Sequence, residues 1–190
     1  AWNEMAEMGW AGVIIPEEFG GSDFGYLSLG LILEELGRTL TASPLLASAM
    51  GAASALVLGG SDAQKAEWLP KIATGDVVAT LAIDEGPHHA PERTALNASR
   101  FTAGYSLSGQ KVFVAEGMAA DLLVVAARVS GQPGEAQGIE LFLVPANAKG
   151  VSRQRLHLAD NRGAANITFN GVVVPEEARL TGGSELLEKV

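Results

Sequence analysis

The stretch Lys71-Ile72-Ala73-Thr74-Gly75-Asp76-Val77-Val78-Ala79-Thr80-Leu81-Ala82-Ile83 divides the chain into two periodicities. Before Gly75 the apolar residues recur every three or four positions, as in Leu29, Ile32, Leu33, Leu36 and Leu40, which predicts an amphipathic helix. Gly20-Gly21-Ser22 precedes it as a breaker, and Ser43-Pro44 opens a second, Ala-rich helix reaching Gly59-Gly60. Ser61 and Gln64 form the two halves of a capping box for a third, which Pro70 is expected to kink or end. After Gly75 come short β-branched runs, Val77 to Ile83, Val112 to Ala115, Leu122 to Ala127 and Ile139 to Val144, separated by Gly, Asn, Ser and Pro clusters. Gly104-Tyr105 and Ser108-Gly109 punctuate them at hairpin spacing, and Asn170-Gly171 predicts a tight turn between Ile167-Thr168-Phe169 and Val172-Val173-Val174. The expected fold class is α+β: an N-terminal helical segment over 1–75 and a small, mainly antiparallel β-sandwich or barrel over 76–181. Residues 182–190 read as a linker and the first turn of a further helix that these residues do not continue.

Composition narrows the function classes. The 190 residues, 47% hydrophobic, suffice for a packed core. Thirteen Lys and Arg against 22 Asp and Glu give a formal charge of -9 with no basic run, so no nucleic-acid partner is expected. No apolar stretch reaches the roughly 18 residues that span a bilayer, and Ala1-Trp2-Asn3-Glu4 lacks the order of a signal peptide. A soluble, cytoplasmic protein without a membrane span is therefore expected. With no Cys there is no thiolate metal site or thiol nucleophile, and no Cys or carboxylate stands at ligand spacing from His88 and His89 to complete a metal site. Gly59-Gly60-Ser61 lacks the third glycine and the preceding strand of a dinucleotide fingerprint, and no Gly-x-Ser-x-Gly elbow occurs.

Several runs resemble the acyl-CoA dehydrogenase family. Met8-Gly9-Trp10-Ala11-Gly12-Val13-Ile14-Ile15-Pro16-Glu17-Glu18-Phe19-Gly20-Gly21 is similar to its opening motif. Glu34-Glu35-Leu36-Gly37, Gln64 through Ile72, and Tyr105-Ser106-Leu107-Ser108-Gly109-Gln110-Lys111 resemble family runs in the same order, and Asn170-Gly171-Val172-Val173-Val174-Pro175 resembles the closing strand of its β domain. These runs extend over nearly the whole chain. The resemblance implies the family's N-terminal helical and middle β domains, with the C-terminal helical domain absent from these residues. It implies FAD as cofactor and α,β-dehydrogenation of an acyl-CoA thioester, with a hydride passing to the flavin and a glutamate taking the α proton. That glutamate belongs to the C-terminal domain, so no residue here is named as catalytic. An electron-transferring flavoprotein or similar acceptor, and a homo- or hetero-oligomer, are the implied partners.

In the resemblance the flavin lies against two strands, which here read Leu81-Ala82-Ile83-Asp84-Glu85 and Phe113-Val114-Ala115. The implied cofactor-binding residues are Leu81, Ile83, Asp84, Phe113, Val114 and Ala115, and the implied substrate-binding residues are Glu85, His89 and Ala90. Phe113 stands where an aromatic ring covers the flavin, although an aromatic alternating with Val112 and Val114 also reads as ordinary packing. Asp84 replaces a neutral hydroxyl near the pyrimidine edge. A carboxylate about 4 Å from that edge opposes flavin reduction by several kcal/mol at an effective dielectric of about 20 unless it binds a proton. Ala115 lacks the hydroxyl that hydrogen-bonds the ring nitrogen receiving the hydride, and Gly86-Pro87-His88-His89-Ala90-Pro91-Glu92 replaces the family's Pro and Gly-Ser turn. Glu85, before a Gly-Pro turn, reads as a solvated carboxylate, and His88 and His89 as loop-surface residues. The preferred reading is an FAD-dependent acyl-CoA dehydrogenase, as subunit or fragment. The alternative is a non-catalytic or half-catalytic partner subunit with a degenerate flavin site, and a third reading is a free-standing interaction module.

Overall fold

Helix α1 (Trp2–Glu7) is anchored at its start, where the Trp2 indole donates to the Gly75 carbonyl at 3.0 Å. The chain then folds back on itself between Gly9 and Phe24: the amides of Ser22, Asp23 and Phe24 donate to the carbonyls of Gly12, Ile15 and Val13. Gly20 takes φ 81, the left-handed conformation that glycine adopts at little cost. Gly21 is needed for a different reason, because the Ile15 carbonyl occupies the space of a Cβ.

Helix α2 (Gly25–Arg38) buries Leu29 and half-buries Ile32, Leu33 and Leu36, whereas Leu40 lies beyond its end and is exposed. The Ala-rich stretch is helical, but Leu46–Ala52 is wound as a π-helix that runs into α3 (Ala53–Gly59). Helix α4 (Asp62–Ala73) begins with the expected capping box, the Gln64 amide donating to Ser61 Oγ at 3.3 Å and the Ser61 amide to Gln64 Oε1 at 2.8 Å. Pro70 does not end α4, which continues to Ala73. A proline removes its own amide donor, but its carbonyl still accepts, and the Thr74 amide donates to it at 3.0 Å as the helix runs on. Ile15, Leu29, Leu45, Leu56, Leu69 and Ile72 are buried to 1% exposure or less.

The second half is a mixed, mainly antiparallel sheet of seven strands: β1 (Ala79–Ala82), β2 (Asn97–Phe101), β3 (Gly104–Val114), β4 (Leu122–Arg128), β5 (Ile139–Pro145), β6 (Val151–Arg155) and β7 (Ala165–Pro175). The order is β1-β4-β2-β3-β7-β6, with β5 paired to β4 along the whole of β4. The β2–β4 contact, Asn97 with Arg128, is parallel. All seven residues of β4 are buried, and Phe142, Phe169, Tyr105, Leu107, Ile167 and Val174 belong to the same core. A short helix, α5 (Gly183–Leu187), follows. The structure describes residues 1–160 and 162–190, and this computed structural model divides into two compact units, Ala1–Ala79 and Thr80–Val190. No helix of the described residues is long and apolar enough to cross a membrane.

Two expected turns are strand interior. Ser108-Gly109 lies within β3, and Asn170-Gly171 lies within β7, where Leu107 pairs with Val172 and Gly109 with Phe169. Two residues of β7 therefore face the single residue Ser108, whose hydroxyl accepts the Gly171 amide at 3.2 Å. Gly171 has φ 59, so the same Asn-Gly chemistry that makes a hairpin turn makes a β-bulge here. The β2–β3 hairpin instead turns through Thr102-Ala103, between the paired residues Phe101 and Gly104.

The two adjacent glycines of the N-terminal fold-back separate by mutation. Gly21→Ala, which must displace the Ile15 carbonyl, is expected to cost about 3 kcal/mol in denaturant unfolding. Gly20→Ala, with nothing within 4 Å of its Cβ position, is expected to cost only the left-handed strain of about 1 kcal/mol.

Candidate functional site

The segment after β1 and the end of β3 run side by side. Thr80 Oγ1 donates to the Ala115 carbonyl at 2.7 Å, and the Val112 amide donates to the Asp84 carbonyl at 2.8 Å. Residues 80–84 thus lie antiparallel to residues 112–115, which brings Leu81, Ile83 and Asp84 beside Phe113, Val114 and Ala115. Thr80 and Ala82 are buried while Leu81 and Ile83 are only partly covered, the alternation of a strand with one face on a core.

Phe113 does not continue that alternation. Lys111 pairs with Ile167 and Val114 with Ala165, so Val112 and Phe113 together oppose Asn166 in a second bulge. Phe113 has φ 52, uncommon for an aromatic residue, and its amide donates to Asn166 Oδ1 at 3.1 Å. The bulge leaves Val114 buried and turns Phe113 outward, 60% exposed, with Ala115 exposed after it. The core-packing reading of Phe113 is overturned by that exposure. Glu116, also at positive φ (53), follows at once. Burial pushes its carboxyl above the usual range, while Arg162 and the Gly163 backbone pull it down.

The loop after Asp84 is held by charges. Asp84 accepts from His89 Nδ1 at 3.0 Å and from the Ala90 amide at 3.2 Å. Glu85 is not the solvated turn carboxylate that its sequence context suggests: its oxygens take the amides of Ala95 and Leu96, each at 2.9 Å, and Lys111 Nζ at 2.8 Å. Lys111 has a fully buried side chain and also donates to the Ile83 carbonyl at 2.7 Å. Burial lowers its affinity for its proton, and the Glu85 and Asp84 charges counter that. Farther along the loop, the buried Arg128 donates to the carbonyls of Glu92 and Thr94, each at 2.7 Å, and of Gln137 at 2.9 Å.

A cleft of about 310 Å³ lies against this loop, lined by Glu85, Gly86, Pro87, His88, Ala90 and Arg93. Of the residues singled out for substrate, Glu85 and Ala90 line it, whereas His89 turns to Asp84 and its neighbour His88 takes a place on the wall. Lys111, Arg128, Thr80 and Asn166 were not individually marked by sequence reasoning. Lys111 had a signal, because it follows Tyr105 and Leu107 at the odd, inward positions of β3 and a buried ammonium needs an acidic partner.

The chain was compared with known proteins. Two family models match it, "Acyl-CoA dehydrogenase, N-terminal domain" over residues 1–76 and "Acyl-CoA dehydrogenase, middle domain" over residues 85–172. The mitochondrial isovaleryl-CoA dehydrogenase of Arabidopsis thaliana is 34% identical over 186 residues, 93% of this chain and 44% of that protein. The chain therefore spans less than half the length of that relative. A glutaryl-coenzyme A dehydrogenase solved as its glutaryl-CoA complex superposes with a TM-score of 0.91 at 24% identity, covering 98% of this chain and 50% of that one. A solved FAD-dependent dehydrogenase gives a TM-score of 0.86 at 26% identity, with coverages of 98% and 52%. With both family models in chain order across a helical unit and a mixed sheet, this chain belongs to the acyl-CoA dehydrogenase family.

Proposed function

We propose that this chain forms the flavin-facing and thioester-facing wall of an FAD-dependent acyl-CoA dehydrogenase. The observation that carries the reading is the pairing of residues 80–84 with 112–115, which sets the outward Phe113 ring and the small Ala115 beside Leu81 and Ile83. The residues fit a flavin: an exposed flat apolar ring and partly covered aliphatic neighbours accept an aromatic ring system. The chemistry FAD supplies when bound is acceptance of a hydride from the β carbon of an acyl thioester. The chain's part is to hold that ring on Leu81, Ile83, Phe113 and Ala115, with Val114 buried in the core behind them, and to hold the thioester along the cleft wall of Glu85, His88 and Ala90, His89 being turned to Asp84. The Asp84 carboxylate is turned into the loop, where it accepts from His89 and the Ala90 amide, and these bonds offset part of its objection to reduced flavin. An electron-transferring flavoprotein or similar acceptor, and assembly with further copies or homologous subunits, belong to the same reading.

Ala115 favours a second reading. Its methyl is exposed where the family places a hydroxyl, as expected if this subunit pairs with a homologue and no longer carries its own flavin. The visible spectrum of the purified full-length protein separates the two. Bound flavin that bleaches anaerobically with an acyl-CoA thioester supports the dehydrogenase, and Phe113→Ala is then expected to weaken FAD binding about tenfold. A protein that stays colourless with added FAD supports the partner subunit.

The Asp84–His89 contact gives a prediction of its own. His89→Ala leaves the carboxylate less compensated and is expected to make the flavin potential more negative by roughly 10–30 mV, about 0.5–1.4 kcal/mol for a two-electron couple. Asp84→Asn is expected to move it the other way, measured by dye-coupled reductive titration.

A further inference from the structure

Among ion pairs of the described residues, Lys111–Glu85 is the most buried, its side chains 0% and 20% exposed. A buried pair of this kind is often no more stabilising than apolar residues of equal volume, so stability alone is a poor account of it. Its connections give a better one. Lys111 stands two residues before Phe113, and its Nζ holds the Ile83 carbonyl, one residue before Asp84. It also holds Glu85, whose carboxylate takes the amides of Ala95 and Leu96. Residues 86–94 leave from Glu85 and return at Ala95, so one carboxylate gathers both ends of the loop that lines the 310 Å³ cleft.

We propose that Lys111 and Glu85 are positioning residues that set the spacing between the flavin-facing strands and the thioester loop; this rests on the function proposed above. Together the two side chains join the end of β3, residues 83–85 and the return of the loop at Ala95 and Leu96. Losing them shifts the cofactor wall and the substrate loop at once, and misplacements of about 1 Å at a reacting site cost up to about 10²-fold in rate.

The test uses the full-length protein with Lys111→Met and with the double variant Lys111→Met, Glu85→Gln, which leaves no unpaired buried charge and keeps an amide oxygen for the loop amides. Thermal melting, amide hydrogen exchange, FAD affinity, and KM and kcat for an acyl-CoA thioester are read on each. The expected result is a double variant that melts near the wild type. Its amides from Ile83 to Leu96 exchange faster while those of α4 and β7 do not, and its FAD Kd and thioester KM both rise about tenfold or more. A double variant with unchanged FAD Kd and KM overturns the proposal and leaves the pair a structural contact, as does unchanged exchange over residues 83–96. A wild-type protein that neither binds FAD nor turns over thioester defeats the dehydrogenase reading instead, and the exchange data still report whether the pair organises the loop.

Discussion

The pairing of β3 with β7 is the constraint on which the site depends. Both strands are eleven residues long, and neither keeps one parity of side chains from end to end. On β7 the buried positions are Ala165, Ile167 and Phe169, then Val172 and Val174, a change from odd to even across Asn170-Gly171. On β3 the change falls between Lys111 and Val114. Because a one-residue slip sends every later side chain to the opposite face, a bulge is needed wherever parity changes. The second bulge takes Phe113 out of the core, and the side chain of Asn166, opposite it, binds the displaced amide. The outward ring is therefore a product of register.

This explains which parts of the fold were legible. The helical half, the capping box at Ser61 and most strands follow from patterns within a single segment, where propensity and periodicity act alone. Asn170-Gly171 was not legible, because a two-residue hairpin and a bulge impose the same local pattern: two inward residues three apart, with an exposed Asn-Gly between them. What decides between them is the partner strand, since β3 continues long enough to pair with both arms. Glu85 misled for the same reason. Its neighbours suggest a solvated turn, and the partners that explain its burial, Lys111 and the Ala95 and Leu96 amides, lie 10 to 26 residues away. Residues 81–84 and 113–115 lie side by side, but Val114 is buried and Phe113 turns outward through a bulge that strand alternation does not reveal.

The loop following Asp84 is irregular yet held along its length. Asp84 takes the Ala90 amide, Glu85 takes those of Ala95 and Leu96, and Arg128 takes the carbonyls of Glu92 and Thr94. Backbone groups that a regular strand would pair with a neighbour are here paired with charged side chains, the buried Arg128 and the partly buried Asp84 and Glu85, and charge-assisted hydrogen bonds are the stronger kind. A loop organised this way can depart from the common turn of its family without losing definition. That matters on the proposed reading, in which Gly86-Pro87-His88-His89-Ala90 stands in place of a Gly-Ser turn.

The departures from the family pattern are also coupled to one another. In the resemblance Asp84 stands where a hydroxyl is usual, and the loop places His89 at hydrogen-bond distance from it. Drift in an unused site gives no reason for a new charge to acquire a partner five residues away, nor for a buried lysine and glutamate to keep a shared set of backbone contacts beneath it. Ala115 weighs the other way, as a lost hydroxyl with nothing in the structure replacing it. On the proposed reading one uncompensated change, Ala115, stands against one compensated change, Asp84 with His89, and the Lys111–Glu85 contacts that frame them supply the geometry a working site would need.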